Sequence, residues 1–69
     1  MRRRTMKPRE LLRLLQAAGW EVKRRGPGDH VQLVHATKPG KVTVDMGASD
    51  IPIGTLRNVF RQAGLKWRR

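Results

Sequence analysis

The chain lacks cysteine, so it can form neither a disulfide nor a thiolate metal site. It holds only two tryptophans and one phenylalanine, mostly at positions whose pattern predicts core. No aromatic side chain is therefore an obvious candidate for stacking on nucleic-acid bases. No apolar run approaches the roughly 18 residues of a membrane span, and none follows the basic N-terminal residues as in a secretory signal. We expect a cytoplasmic protein without a membrane partner.

Acidic residues are also scarce. Five Asp and Glu face 16 Lys and Arg, which leaves a net charge of +11 on 69 residues. This excess predicts a polyanionic partner, nucleic acid first, although an anionic membrane surface or an acidic protein would also fit. A chain this short forms one domain with little room for an enclosed pocket. Its work is therefore expected on an exposed face.

Metal and cofactor chemistry is not indicated. The two histidines, two glutamates and three aspartates include no pair at helical i, i+4 spacing. The sequence also contains no Gly-rich phosphate loop that leads into a helix, and no clustered carboxylates. We expect neither a metal nor a cofactor.

Two segments have the i, i+3, i+4 apolar spacing of amphipathic helices. The first runs from Lys7 to Ala18, with Pro8 in its first turn and Gly19 as its stop. The second runs from Gly54 to Ala63 and is capped by Gly64. The predicted buried stripes are Leu11, Leu14, Leu15 and Ala18, and then Ile53, Leu56, Val59, Phe60 and Ala63.

Three short strands are predicted between the helices, at residues 20–25, 30–35 and 41–45. In the first strand, alternation places Trp20, Val22 and Arg24 on one side and Glu21, Lys23 and Arg25 on the other. The fold class is α+β, in the order α-β-β-β-α, with both helices on one face of a three-stranded antiparallel sheet. Residues 1–6 are predicted to be a flexible basic arm, 7–67 the domain and 68–69 a basic tail.

His30 is the residue most suited to chemistry, because histidine exchanges protons near neutral pH. It follows a Gly-rich turn and faces away from Leu33, so it is exposed if Leu33 is core. RNA carries its own nucleophile, the 2′-hydroxyl, and its cleavage needs only a base, an acid and cations. His35 shares the Leu33 face and is expected to be a structural residue. Asp45 could orient a histidine on a neighbouring strand.

The segments KPRELLRLLQAAGWEV, GDHVQLVH, GKVTVD and PIGTLRNVFRQAGL together resemble the HicA toxins of bacterial type II toxin–antitoxin systems. The resemblance implies a fold like a double-stranded-RNA-binding domain. It also implies a metal-independent endoribonuclease that cuts messenger RNA, and a HicB antitoxin that covers the active site. The family's G-x-H motif matches Gly28 and His30, so His30 becomes the expected catalyst and Gly28 part of the turn that presents it. Family members often carry Pro and then His after the third strand, whereas this chain has VDMG, from Val44 to Gly47.

Candidate phosphate-binding residues are assigned from proximity alone: Arg24, Arg25, Lys38 and Lys41. Two alternatives stay open. One is a non-enzymatic double-stranded-RNA-binding module, although the start of the last helix holds Pro52-Ile53-Gly54-Thr55 instead of a basic cluster. The other is an interaction module whose basic surface matches an acidic protein.

Overall fold

The computed structural model describes residues 5–26 and 28–66. Its elements are helix α1 (Pro8–Ala17), strands β1 (Trp20–Arg25), β2 (His30–His35) and β3 (Val42–Asp45), and helix α2 (Ile53–Ala63). The strands form one antiparallel sheet in the order β1-β2-β3. The predicted α-β-β-β-α order and open three-stranded sheet are confirmed. Compared with the prediction, α1 is one residue shorter at each end, β3 begins one residue later and α2 begins one residue earlier.

The core lies between the two helices and one face of the sheet. α1 contacts β1 and β3, and α2 contacts β3. The buried residues form a single apolar cluster: Leu11, Leu15, Trp20, Val31, Leu33, Val42, Val44, Ile51, Leu56, Val59, Phe60 and Ala63. All sheet members of this cluster share one face, so the opposite face of the sheet carries no helix.

Two predicted stripe residues are not core. Leu14 is 42% exposed and Ile53 is 37% exposed, whereas Leu11 and Leu15 are fully buried. Leu14 therefore lies at the margin of the stripe, where the sheet no longer covers it. Ile53 is the first residue of α2, and the helix enters the core only in its next turn, at Leu56.

The segment before α1 is hydrogen-bonded to the segment before α2. Met6 N–H donates to the Ile51 carbonyl at 3.3 Å, and Ile51 N–H donates to the Met6 carbonyl at 2.8 Å. Met6, which the sequence assigns to the arm, is thus half-buried and paired. Residues 1–4 and 68–69 of the predicted arm and tail, and Trp67, lie outside the described residues.

Candidate functional site

His30 is the first residue of β2 and is exposed at the mouth of the β1–β2 hairpin. Gly26 N–H donates to the His30 carbonyl at 2.9 Å and closes the hairpin beside it. Gly28, in the turn, has a φ of 71°, a left-handed conformation that favours glycine. Apart from Gly28 and its two neighbours in sequence, no described atom lies within 4 Å of where a Gly28 Cβ would be. The turn is therefore open next to His30.

The register of β1 against β2 contains a bulge. Val22 pairs with Leu33, but Arg24 pairs with Gln32, so Lys23 is an extra residue in β1. Residues that pair directly share a face of the sheet. Arg24 therefore lies on the open face, opposite to the face of Val22.

This bulge corrects the predicted alternation of β1. Strict alternation places Arg24 on the core side and Arg25 beside His30, whereas the observed register pairs Arg25 with Val31 on the helix side. A one-residue shift reverses every side chain beyond it. Bulges often lie next to active sites, where they re-aim a side chain. Here the re-aimed residue is Arg24, which joins the face that carries His30.

Asp45 lies directly across from His30 on β3. Met46 N–H donates to the Asp29 carbonyl at 2.8 Å, which makes His30 and Asp45 a non-hydrogen-bonded pair. In such pairs the Cα atoms are about 4.5 Å apart and the side chains are close neighbours. One Asp45 carboxylate oxygen, Oδ1, accepts from Gly47 N–H at 3.0 Å.

The open face near the hairpin therefore contains two cross-strand rows. We call the first the His30 row; it consists of His30 and Asp45. The second, the Gln32 row, consists of Arg24, Gln32 and Thr43, one from each strand. Arg24 and Thr43 are exposed, and Gln32 between them is half-buried. Sequence reasoning missed Gln32 and Thr43 because their position beside His30 depends on register.

His35, at the other end of β2, has both ring nitrogens engaged. Nε2 lies 3.1 Å from the Ala18 carbonyl, which can only accept, so Nε2 carries the hydrogen. Nδ1 accepts from the backbone N–H groups of Thr37, at 3.0 Å, and Lys38, at 3.3 Å. The ring is therefore the Nε2–H tautomer, and it connects the backbone just after α1 to the loop that follows β2.

Packing also holds the His35 ring in place. The Trp20 ring meets it edge-on, with centroids 5.3 Å apart and an interplanar angle of 66°. Gly19 has a φ of 97°, and a Cβ there would lie 2.7 Å from His35 Nε2. His35 is thus a half-buried structural residue at the strand end, as the sequence predicted.

Lys38 and Lys41 lie away from His30. The Lys38 ammonium donates to the Ala63 carbonyl at 3.2 Å, at the C-terminal end of α2, and the Trp20 indole N–H donates to the same carbonyl at 3.2 Å. Lys41 is exposed and precedes β3, whereas His30 pairs with the last residue of β3. Lys41 and Asp45 are four positions apart along the chain, which corresponds to about 13 Å in a strand. Of the four predicted phosphate-binding residues, Arg24 is the one that the observed register places in the row next to His30.

Two further observations concern the described residues as a whole. Within 5–26 and 28–66, no three His, Asp or Glu side chains are grouped so that they could hold a metal ion. In the same ranges, no helix is long and apolar enough to cross a membrane.

The fold and this site define a small basic α+β protein with helices on one face of its sheet and polar side chains on the other. The chain matches the family described as the HicA toxin of bacterial toxin–antitoxin systems over residues 8–65. Since this match covers most of the sequence, the chain belongs to the HicA toxin family. It is thus a toxin, and an antitoxin is the partner that such a system implies. Searches of curated proteins and of solved structures return no match.

Proposed function

We propose that the protein is a metal-independent endoribonuclease that cleaves messenger RNA in the cytoplasm, with His30 as its catalytic residue. The observation that carries this proposal is the exposure of His30 at an open glycine turn, on the sheet face to which the bulge brings Arg24. The family membership supports it, because the G-x-H residues Gly28 and His30 lie inside the matched segment.

The proposed chemistry is an internal transesterification. The His30 imidazole takes the proton of a ribose 2′-hydroxyl, and the 2′-oxygen attacks the adjacent phosphorus. The bond between phosphorus and the 5′-oxygen breaks, and the imidazolium returns its proton to that oxygen. The products are a 2′,3′-cyclic phosphate and a 5′-hydroxyl. The family's later histidine is absent from this chain, which has Gly47 near that position. In the proposal His30 therefore acts first as the base and then as the acid.

Arg24 and Asp45 flank this reaction in the proposal. The Arg24 guanidinium has donors arranged to bind phosphate oxygens, so it stabilises the negative charge that develops on the phosphoryl group. Asp45, opposite His30, places a carboxylate beside the imidazolium that forms between the two proton transfers. Arg25 pairs with Val31 on the helix side of the sheet, opposite to the face of His30. It remains a candidate for binding a phosphate outside the reaction centre.

The open face is also where we propose that a HicB-type antitoxin binds. A partner that covers the His30 and Gln32 rows would block the approach of RNA. The basic surface of the toxin suits both ligands, because RNA is a polyanion and an acidic protein presents the same sign of charge.

The test is cleavage of a labelled single-stranded RNA in EDTA by the parent protein and by His30→Ala, with product ends read by mass spectrometry. We expect cyclic phosphate ends from the parent and none from the variant. Arg61→Ala is the matched control, since Arg61 is an exposed residue on α2. Equal cleavage by parent and His30→Ala would refute the role of His30. Duplex-selective binding by the parent without cleavage would support the non-enzymatic double-stranded-RNA-binding module instead.

A further inference from the structure

The Gln32 row differs chemically from the rest of the surface around His30. Gln32 and Thr43 are uncharged and carry both hydrogen-bond donors and acceptors, and they pair directly across β2 and β3. Arg24, Asp45 and His30 around them are ionisable. Charged groups bind phosphates, which are the same in every nucleotide, whereas sequence is read by hydrogen bonds to base edges.

From this placement we propose that Gln32 reads a base that flanks the scissile phosphate, and that the base it selects is adenine. The inference rests on the proposed function, because it takes His30 as the position of the reacting phosphate. The glutamine amide presents one acceptor and one donor side by side. Adenine presents the complementary pair on both its Watson–Crick edge, where the N6 amino donor lies next to N1, and its Hoogsteen edge, where the same donor lies next to N7. Two hydrogen bonds therefore form from either approach, whereas cytosine offers such a pair on one edge.

The spacing on β2 suits this role. His30 and Gln32 are two residues apart on one face, which corresponds to roughly 6.7 Å along the strand. A nucleotide bound with its phosphate at His30 therefore places an adjacent base within reach of the Gln32 amide. Thr43, directly opposite Gln32, can bond the amide from the side and hold it in one orientation.

The described part of this face offers no Phe, Tyr or Trp ring and no second side-chain amide for reading a base. Trp20 and Phe60 lie in the core, so neither offers a ring for stacking. Asp45 has one carboxylate oxygen occupied by Gly47 N–H. Glu21 pairs with Val34, one row further from His30. Gln32 is therefore the amide nearest to His30 by register.

The first experiment uses oligodeoxynucleotides that contain a single ribonucleotide, so only one bond in each can be cut. The base of that ribonucleotide and the base after it are each varied over all four. We expect the parent to prefer adenine at one of the two positions by about fivefold to tenfold, the lower part of the range for a bidentate contact because the site is open to water. Gln32→Ala should reduce this preference to within twofold while it still cleaves. Gln62→Ala, an exposed glutamine on α2, should keep it.

A second variant tests the donor–acceptor logic. In Gln32→Glu the side chain can only accept, so adenine loses one of its two bonds, whereas guanine presents two adjacent donors, N1–H and N2–H, to the two carboxylate oxygens. We expect the preference to move from adenine towards guanine. An unchanged profile in both Gln32 variants would overturn the proposal, as would a parent that cuts all bases equally.

Binding separates this inference from the proposed function. Affinities for the same oligonucleotides are measured with His30→Ala, with and without Gln32→Ala, so no cleavage is needed. An adenine preference that disappears with Gln32→Ala supports base reading even if the parent proves not to cleave. The parent could instead cleave RNA while it binds and cuts the four bases equally. That result would support the proposed nuclease activity and refute the role of Gln32.

Discussion

His35→Ala should destabilise the protein strongly and leave cleavage chemistry intact, in contrast to His30→Ala. The variant loses the Nε2 bond to the Ala18 carbonyl and the Nδ1 bonds from Thr37 and Lys38, and it loses the Trp20 ring contact. The hydrogen bonds contribute about 1–2 kcal/mol together, because the loop donors are exposed and can turn to water. The edge-on ring contact adds about 1 kcal/mol.

The expected loss is therefore about 2–3 kcal/mol, which lowers the Tm of a domain of this size by roughly 10–20 °C. Thermal and urea unfolding followed by circular dichroism measure it, and His30→Ala is the matched control, expected within about 0.5 kcal/mol of the parent. Cleavage by His35→Ala is assayed at low temperature, with sucrose to keep the variant folded. A folded His35→Ala that does not cleave, or one whose Tm is unchanged, would refute the assignment.

Gly19 provides an internal check on the same reasoning. Gly19→Ala adds a Cβ at a φ of 97° and 2.7 Å from His35 Nε2. The backbone strain, about 1 kcal/mol, persists in any background, but the collision disappears when His35 is alanine. The two substitutions should therefore cost less together than the sum of the single variants. Additive losses would mean that the ring does not occupy the observed position.

Three further outcomes are expected. Lys38→Met should cost about 1 kcal/mol in urea unfolding, because it removes the ammonium bond to the Ala63 carbonyl, with little change in affinity for RNA. Leu14→Ala should stay within about 0.5 kcal/mol of the parent and Leu15→Ala should lose about 2–5 kcal/mol, since only Leu15 is buried. Arg24→Ala should reduce by about one the slope of log affinity for RNA against log salt concentration, whereas a flat response in the parent would favour an acidic protein as the sole partner.

The element order was predictable because it depends on local chemistry. Apolar residues at helical spacing, Gly19 and Gly64 as stops, and short alternating runs between them predict α-β-β-β-α without any long-range information. The exposure of His30 followed from one strand alternation relative to Leu33. Alternation within a strand is a property of the backbone itself. The predicted alternation is therefore observed in β2, which has no bulge against β3.

The same alternation failed in β1, because a bulge is decided by the pairing partner. Lys23 is an ordinary strand residue in the sequence, and only the register against β2 shows that it is the extra one. Arg24 thereby moved to the open face and Arg25 to the helix side. Proximity in sequence to the turn could not distinguish the two arginines.

Sequence alone determined the charge and the fold order, and it predicted that His30 is exposed and that His35 is partly covered, because composition and residue spacing are sufficient for each. Tertiary structure decided which side chains surround His30. Asp45 comes from β3 and Arg24 from a bulged β1, and the Gln32 row draws on all three strands. The Lys38 ammonium bonds to the carbonyl of Ala63 at the end of α2, a contact between residues 25 apart in sequence. Contacts between distant segments depend on strand register and packing, which cannot be predicted from the local pattern of a single sequence.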